Sequence, residues 1–214
     1  MKQQEPYRMK AASPAIAAPS STSRVSYQDF LAQSELTRAE WVDGRVIELT
    51  SPPDRHQDLA SFLTALLRVF AEARQLGVVR PTFQMKTGPS LPGRQPDILF
   101  VGARNTSRIR KNHLEGAADL AIEIVSPESR SRDHEEKFNE YEQGGVGEYW
   151  LIEAARREAQ FYRLGEDGQY HLAALQEGTV FRSSALPGLW LNVEWLWQNP
   201  LPPVLSVLKE WQLL

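Results

Sequence analysis

The 214 residues carry 24 Lys and Arg against 27 Asp and Glu, a net charge of −3, and no cysteine. The missing cysteine excludes disulfides, thiolate catalysis and cysteine-ligated metal centres, and the acidic balance excludes general electrostatic attraction to nucleic acid, so any contact with DNA or RNA must use local positive charge. The length suits one domain with extensions; with no apolar run near the roughly 18 residues of a membrane span and no signal-peptide core, a cytoplasmic protein without a membrane partner is expected.

Residues 1–24 are rich in Ala, Ser, Pro and Gln, too poor in large apolar side chains to offset their own ordering, and are read as a disordered arm. Ser26 begins a short helix, SYQDFLAQSEL, with Ser26 and Asp29 at capping-box spacing and Phe30 and Leu31 toward the core. Asp43-Gly44 lies between the alternating runs Glu40–Val42 and Arg45–Leu49 and marks a hairpin, because a type I′ turn needs positive φ at both central positions. Ser51-Pro52-Pro53-Asp54 starts a helix expected to run to about Gln75 and to end at Gly77. Leu59, Phe62, Leu63, Leu66, Val69 and Phe70 form its packing stripe.

Strands are expected near Val78–Met85 and Asp97–Val101, joined through an exposed Gly- and Pro-rich connection, Gly88–Gly93. Residues 102–118, with Arg104, Arg108, Arg110 and Lys111, read as a solvated basic loop and short helix. After a strand over Leu120–Val125, Asp133 and Glu136 give a capping-type start to a helix closed by Gly144-Gly145. Antiparallel strands at Tyr149–Ile152, Ala159–Leu164 and Tyr170–Ala173 follow, with a turn at Gly165–Gly168. The tryptophan-rich end reads as packing surface with a final helix from Pro203. The boundaries expected are an arm at 1–24, a single domain at 25–198 and a helical extension at 199–214.

Two strands each carry one carboxylate in an apolar run: Asp97 before Ile98–Val101, and Glu123 within Leu120–Val125. An unpaired buried carboxylate costs several kcal/mol, so a cation shared between them is expected. Hard oxygen ligands suit Mg²⁺ or Mn²⁺ better than zinc. Asp133, Lys137 and Tyr141, at four-residue steps, fall on one helix stripe, from which Lys137 can reach the carboxylates and polarise an attacking water. Taken singly, each has an ordinary explanation. Lys137 could pair with Asp133 or Tyr141 on its helix, Asp97 could be a strand-start residue, and Glu123 could pair with an arginine.

Taken in order, the set resembles the PD-(D/E)XK nuclease superfamily and, within it, the bacterial Uma-two family of restriction-endonuclease-like proteins, over roughly residues 25–195. The resemblance is carried by Glu40 with Asp43-Gly44-Arg45, Ser51-Pro52-Pro53 with His56, Pro96-Asp97, Ile122-Glu123-Ile124-Val125-Ser126-Pro127, Asp133 with Lys137 and Tyr141, and Gly145-Val146-x-Glu148-Tyr149-Trp150. It implies an α/β (α+β) fold with a central mixed sheet flanked by helices. It also implies Asp97 and Glu123 as metal ligands, Glu40 as a further acid at the metal, and His56 at the substrate phosphate, with Tyr141 as a second candidate contact. The superfamily lysine lies two residues after the glutamate, where this chain has Val125; Lys137 is the replacement that the family pattern supplies from the helix.

The leading function is then a Mg²⁺-dependent endonuclease that hydrolyses DNA phosphodiester bonds, with Asp97, Glu123 and Lys137 catalytic. By analogy with enzymes that cut both strands, a homodimer is expected. An RNA or nucleotide phosphodiesterase is a second reading. A third is an inactive nuclease-like fold that binds nucleic acid or protein, favoured by Val125 and the negative net charge.

Overall fold

The computed structural model describes residues 24–33 and 38–214. Apart from Arg24, the expected N-terminal arm lies outside them, as do residues 34–36 of the first expected helix. That helix, α1, covers Tyr27–Ala32, and the Ser26 side chain accepts the Asp29 amide at its N-terminus. Phe30 is buried, while Leu31 is only partly covered. Strands β1 (Ala39–Val42) and β2 (Arg45–Glu48) form the expected hairpin, with Asp43 at φ 49° and Gly44 at φ 81°.

Helix α2 (Asp54–Ala73) buries Leu59, Phe62, Leu63, Leu66, Leu67, Phe70 and Ala71. Two details differ from the sequence expectation. Val69 is exposed, because Leu67 and Ala71 complete the stripe in its place. Gly77 does not end the helix: Gln75 takes the left-handed turn at φ 53°, and Gly77 opens β3 (Gly77–Pro81). A Cβ at Gly77 would stand 2.1 Å from the Val101 carbonyl oxygen, so the glycine permits close strand approach.

The single strand expected over 78–85 divides at Thr82, where φ is 46°, into β3 and β4 (Gln84–Lys86), which join different sheets. The connection expected to be exposed contributes β5 (Gly93–Arg94), which is buried. A five-stranded sheet runs β2-β1-β5-β4-β7, where β7 is His113–Glu115. A six-stranded sheet runs β11-β10-β9-β8-β6-β3, built from β6 (Ile98–Gly102), β8 (Leu120–Ile124), β9 (Glu148–Glu153), β10 (Glu158–Leu164) and β11 (Tyr170–Leu172). Pairing β8·β9 is parallel and β6·β8 antiparallel, so the sheet is mixed. Strands β12 (Val180–Arg182) and β13 (Trp190–Asn192) form a separate pair.

Alternation along the strands separates two apolar clusters. Ile98, Phe100, Ile122, Ile124 and Trp150 pack with α2 and the C-terminal segment on one face. Leu99, Val101, Ala121, Val125 and Tyr149 pack on the other with Tyr141 of α3 (Phe138–Gly144). The basic stretch 103–111 is largely exposed, as expected. The C-terminal tryptophans pack as expected: Trp195 and Trp211 join the first cluster, and Trp211 of the segment after α4 (Val204–Glu210) meets Phe70 edge-on at 5.4 Å. Fully buried Glu148 ties residues 183–185 to β9. It accepts hydrogen bonds from the Trp150 indole at 2.7 Å, the Ser183 hydroxyl at 2.8 Å and the Ser184 amide at 2.7 Å.

Candidate active site

The β6·β8 register, with Ile98 opposite Ile122, continues by one step to set Asp97 opposite Glu123. Glu123 lies between Ile122 and Ile124, which face α2, so its own side chain faces the other cluster, on the Leu99 side of the sheet. Asp97 is fixed by two donors: the Ile124 amide at 2.8 Å and His56 Nε2 at 3.1 Å, delivered by the first turn of α2.

Lys137 arrives from the opposite direction. It closes a π-helical turn, Arg132–Lys137, that leads into α3; such widened turns recur at functional sites. The Tyr149 hydroxyl donates to the Asp133 carbonyl at 3.1 Å, giving that buried acceptor a partner within the turn. The Lys137 ammonium lies 2.9 Å from Glu123 Oε2, 3.1 Å from Glu40 Oε1 and 3.3 Å from Asp133 Oδ1. Tyr141, one turn further, donates to Glu123 Oε1 at 3.0 Å.

Glu40 is fully buried on β1. Beyond Lys137, it holds Arg94 Nη1 at 2.8 Å and accepts the Gln95 amide at 3.3 Å. Arg94 also binds Glu140 at 2.6 Å and Glu136 at 2.8 Å, so its fork ties the five-stranded sheet to the helix that carries Lys137.

The charge balance follows from this packing. Burial alone would raise the Glu40 carboxyl, but Lys137 and Arg94 outweigh it and bring the pKa down to about 2. Burial and three neighbouring carboxylates, Asp133, Asp97 and Glu40, hold Glu123 well above the ordinary range against the pull of Lys137. Burial would deprotonate Lys137, yet Glu123, Glu40 and Asp133 keep it charged and above its usual value. Burial first, then Glu123, pushes the Tyr141 phenol upward.

Asp97, Glu123, Asp133 and Lys137 line one concavity with Pro52, His56 and Ser129. Glu40, Arg94 and Tyr141 are not part of its lining, and Tyr141, expected as a substrate contact, is buried and meets Glu123 instead. Among the described residues, no group of three or more Asp, Glu or His side chains is arranged as a ready cation cage. The donor chemistry nonetheless fits a hard divalent ion, since Mg²⁺ is typically held by one or two carboxylates, with waters and substrate phosphate completing its shell. Burial first, and then the surplus of carboxylates, raises Glu123, and the second of these is the condition a bound cation relieves.

The structure thus brings together all six residues singled out in the sequence: Asp97, Glu123, Lys137, Glu40, His56 and Tyr141. It gives Glu40 different neighbours from those expected, since both of its oxygens face cationic side chains. Arg94 escaped sequence reasoning because it sits beside a Gly- and Pro-rich connection. The signal available was electrostatic, since a buried Glu40 requires a cationic partner. Asp133 faces Lys137 as its four-residue spacing allowed, but it is 2% exposed inside the turn, where the sequence marked a helix start.

A mixed sheet flanked by helices, bearing an acid pair on adjacent strands and a lysine above them, defines a restriction-endonuclease-like α/β protein. The chain belongs to the Uma2 family, described as "Putative restriction endonuclease", whose model matches residues 26–194. A crystal structure of a "putative nuclease belonging to DUF820" from Anabaena variabilis has a TM-score of 0.65 to this chain at 18% identity, covering 79% of this chain and 96% of that one. At that identity the likeness shows the shared fold. Curated proteins give no match. No helix among the described residues is long and apolar enough to cross a membrane.

Proposed function

We propose that this protein is a divalent-metal-dependent endonuclease that hydrolyses phosphodiester bonds of DNA. The observation that carries the reading is the placement of Asp97 opposite Glu123, with the Lys137 ammonium 2.9 Å from Glu123 in the same concavity. Asp97 and Glu123 would hold Mg²⁺ or Mn²⁺, which when bound lowers the pKa of water and neutralises charge on the phosphoryl group. Lys137 orients the attacking water and stabilises negative charge developing on the phosphate oxygens. Tyr141 and the Ile124 amide fix the two carboxylates, and His56 sets the Asp97 rotamer while facing the groove. We assign Glu40 to positioning: with Arg94 beyond it, Glu40 keeps Lys137 charged and aimed at Glu123.

Cleavage of matched DNA and RNA strands with Mg²⁺ tests the substrate; cleavage of DNA with the RNA left intact is expected. The second reading, an inactive nuclease-like binding module, draws on one observation: Lys137 already meets three carboxylates within the protein. Calorimetry separates the two, because the binding module shows no heat of Mg²⁺ or Mn²⁺ binding.

A further inference from the structure

Among the described residues, three half-buried or exposed arginines, Arg38, Arg132 and Arg163, have a buried Nε without a hydrogen-bond partner, and the first two lie at the groove. Arg94 spends its fork on three carboxylates. Arg38 lies just before β1 and Arg132 in the π-helical turn. Arg132 Nε lies 3.9 Å from Glu40 and 4.0 Å from Asp133, too far for hydrogen bonds. A buried donor left unmade is costly, so such atoms need a reason.

Their positions supply one. Arg38 and Arg132 both line the concavity that holds Asp97, Glu123 and Lys137. Arg38 also lines the cleft beyond it on one side, among Gln57, Ser61, Thr64 and Thr82. Arg132 lines a second neighbouring cleft, where Arg24, Arg45 and Arg94 stand among the carboxylates Asp43, Glu128 and Glu136. Arg38 and Arg132 are thus each shared between the concavity that holds the acid pair and lysine and a neighbouring cleft, and each has an unpartnered Nε. Along the Arg38 cleft the walls carry hydroxyls and an amide, donors suited to an anion's oxygens. A guanidinium presents its donors in a fixed fork that matches the oxygens of a phosphodiester.

Resting on the nuclease reading, we propose that Arg38 and Arg132 clamp the phosphodiester backbone of one nucleic-acid strand on either side of the phosphate over Asp97 and Glu123. They are positioning residues that hold the strand in register across the acidic centre. This also answers how a chain of net charge −3 engages a polyanion: it uses two local contacts.

The test is the salt dependence of binding, followed by fluorescence anisotropy with a fluorescein-labelled single-stranded DNA, Ca²⁺ replacing Mg²⁺, from about 50 to 200 mM salt. Each phosphate contact contributes about 0.7 to the slope of log K against log salt for a single strand. Arg38→Gln and Arg132→Gln should each reduce the slope by about that amount, and the double variant by about twice as much. Arg38→Lys and Arg132→Lys should restore the slope while binding more weakly, which a structural role alone would not produce. Wild-type binding whose slope is the same in all four single variants overturns the clamp and leaves the nuclease reading standing. No binding by wild type to this strand or its duplex overturns both.

Discussion

Lys137 sets its ammonium 2.9 Å from Glu123 although the two residues occupy different elements, a helical turn and β8. The strand position two residues after Glu123 is Val125, which is buried in the apolar cluster with Tyr141 and Tyr149. A lysine there would have to enter that cluster; one delivered by the helix reaches the carboxylates without doing so. Lys137→Ala is therefore expected to lower kcat by about 100-fold or more. It also leaves Glu40, Glu123 and Asp133 without their shared cation, at a cost on the order of 3–5 kcal/mol. Adding Glu123→Gln should recover part of that stability without recovering activity. Urea unfolding and single-turnover cleavage, run on the same preparations, measure the two effects separately.

Glu40 makes a prediction in acid. Its folded pKa, about 2, is below the ordinary carboxylate value of 4.5. The unfolded chain therefore binds the proton first, and the stabilisation is complete above the unfolded pKa and lost as pH falls through the folded one. Its size is on the order of 3 kcal/mol. The Tm of wild type should fall steeply between about pH 4.5 and pH 2, and Glu40→Gln should flatten that part of the profile while lowering Tm at neutral pH. An unchanged acid limb in Glu40→Gln would place the acid-sensitive group elsewhere.

Much of this arrangement was legible in the sequence, and the remainder failed for identifiable reasons. Asp43-Gly44 marks a tight turn, and the recurrence from Leu59 to Phe70 marks a helix face with Val69 its one misplaced member; both follow from local rules. Asp97 and Glu123 stood out because a carboxylate in an apolar strand requires a partner. Arg94 was hidden because the rule that Gly and Pro mark loops says nothing of a loop's neighbour pairing as a buried strand. The break at Thr82 was hidden because Val78–Met85 has the composition of a single strand, and only the tertiary fold sends its halves to different sheets. The π-helical turn left no trace in the spacing, since Asp133 and Lys137 look like an ordinary four-residue step.

Gly77 offers a check on the β3·β6 pairing. At φ 151° and with Val101 O 2.1 Å from where a Cβ would sit, Gly77→Ala must displace backbone. A loss of about 2 kcal/mol or more in urea unfolding is expected. A neutral substitution would contradict the close approach of these strands.

Cation binding should report on Glu123 through pH. Because burial and its neighbouring acids raise the proton affinity of the metal-free carboxyl, protons compete with a cation for it. Stabilisation by Mg²⁺, about 2.7 kcal/mol when the free ion is 100 times its Kd, should therefore grow as pH rises. Asp97→Asn should remove most of it. Thermal melts across pH with and without millimolar Mg²⁺ measure this, and a Tm indifferent to Mg²⁺ and Mn²⁺ would argue against a cation at this site.

The most direct measurement is cleavage of supercoiled plasmid and of a labelled single strand with Mg²⁺ or Mn²⁺, comparing wild type with Asp97→Ala and Lys137→Ala in identical preparations. Metal-dependent cleavage by wild type, lost in both variants, is expected of the proposed nuclease. Cleavage that survives both substitutions, or none by wild type on either DNA, would contradict it.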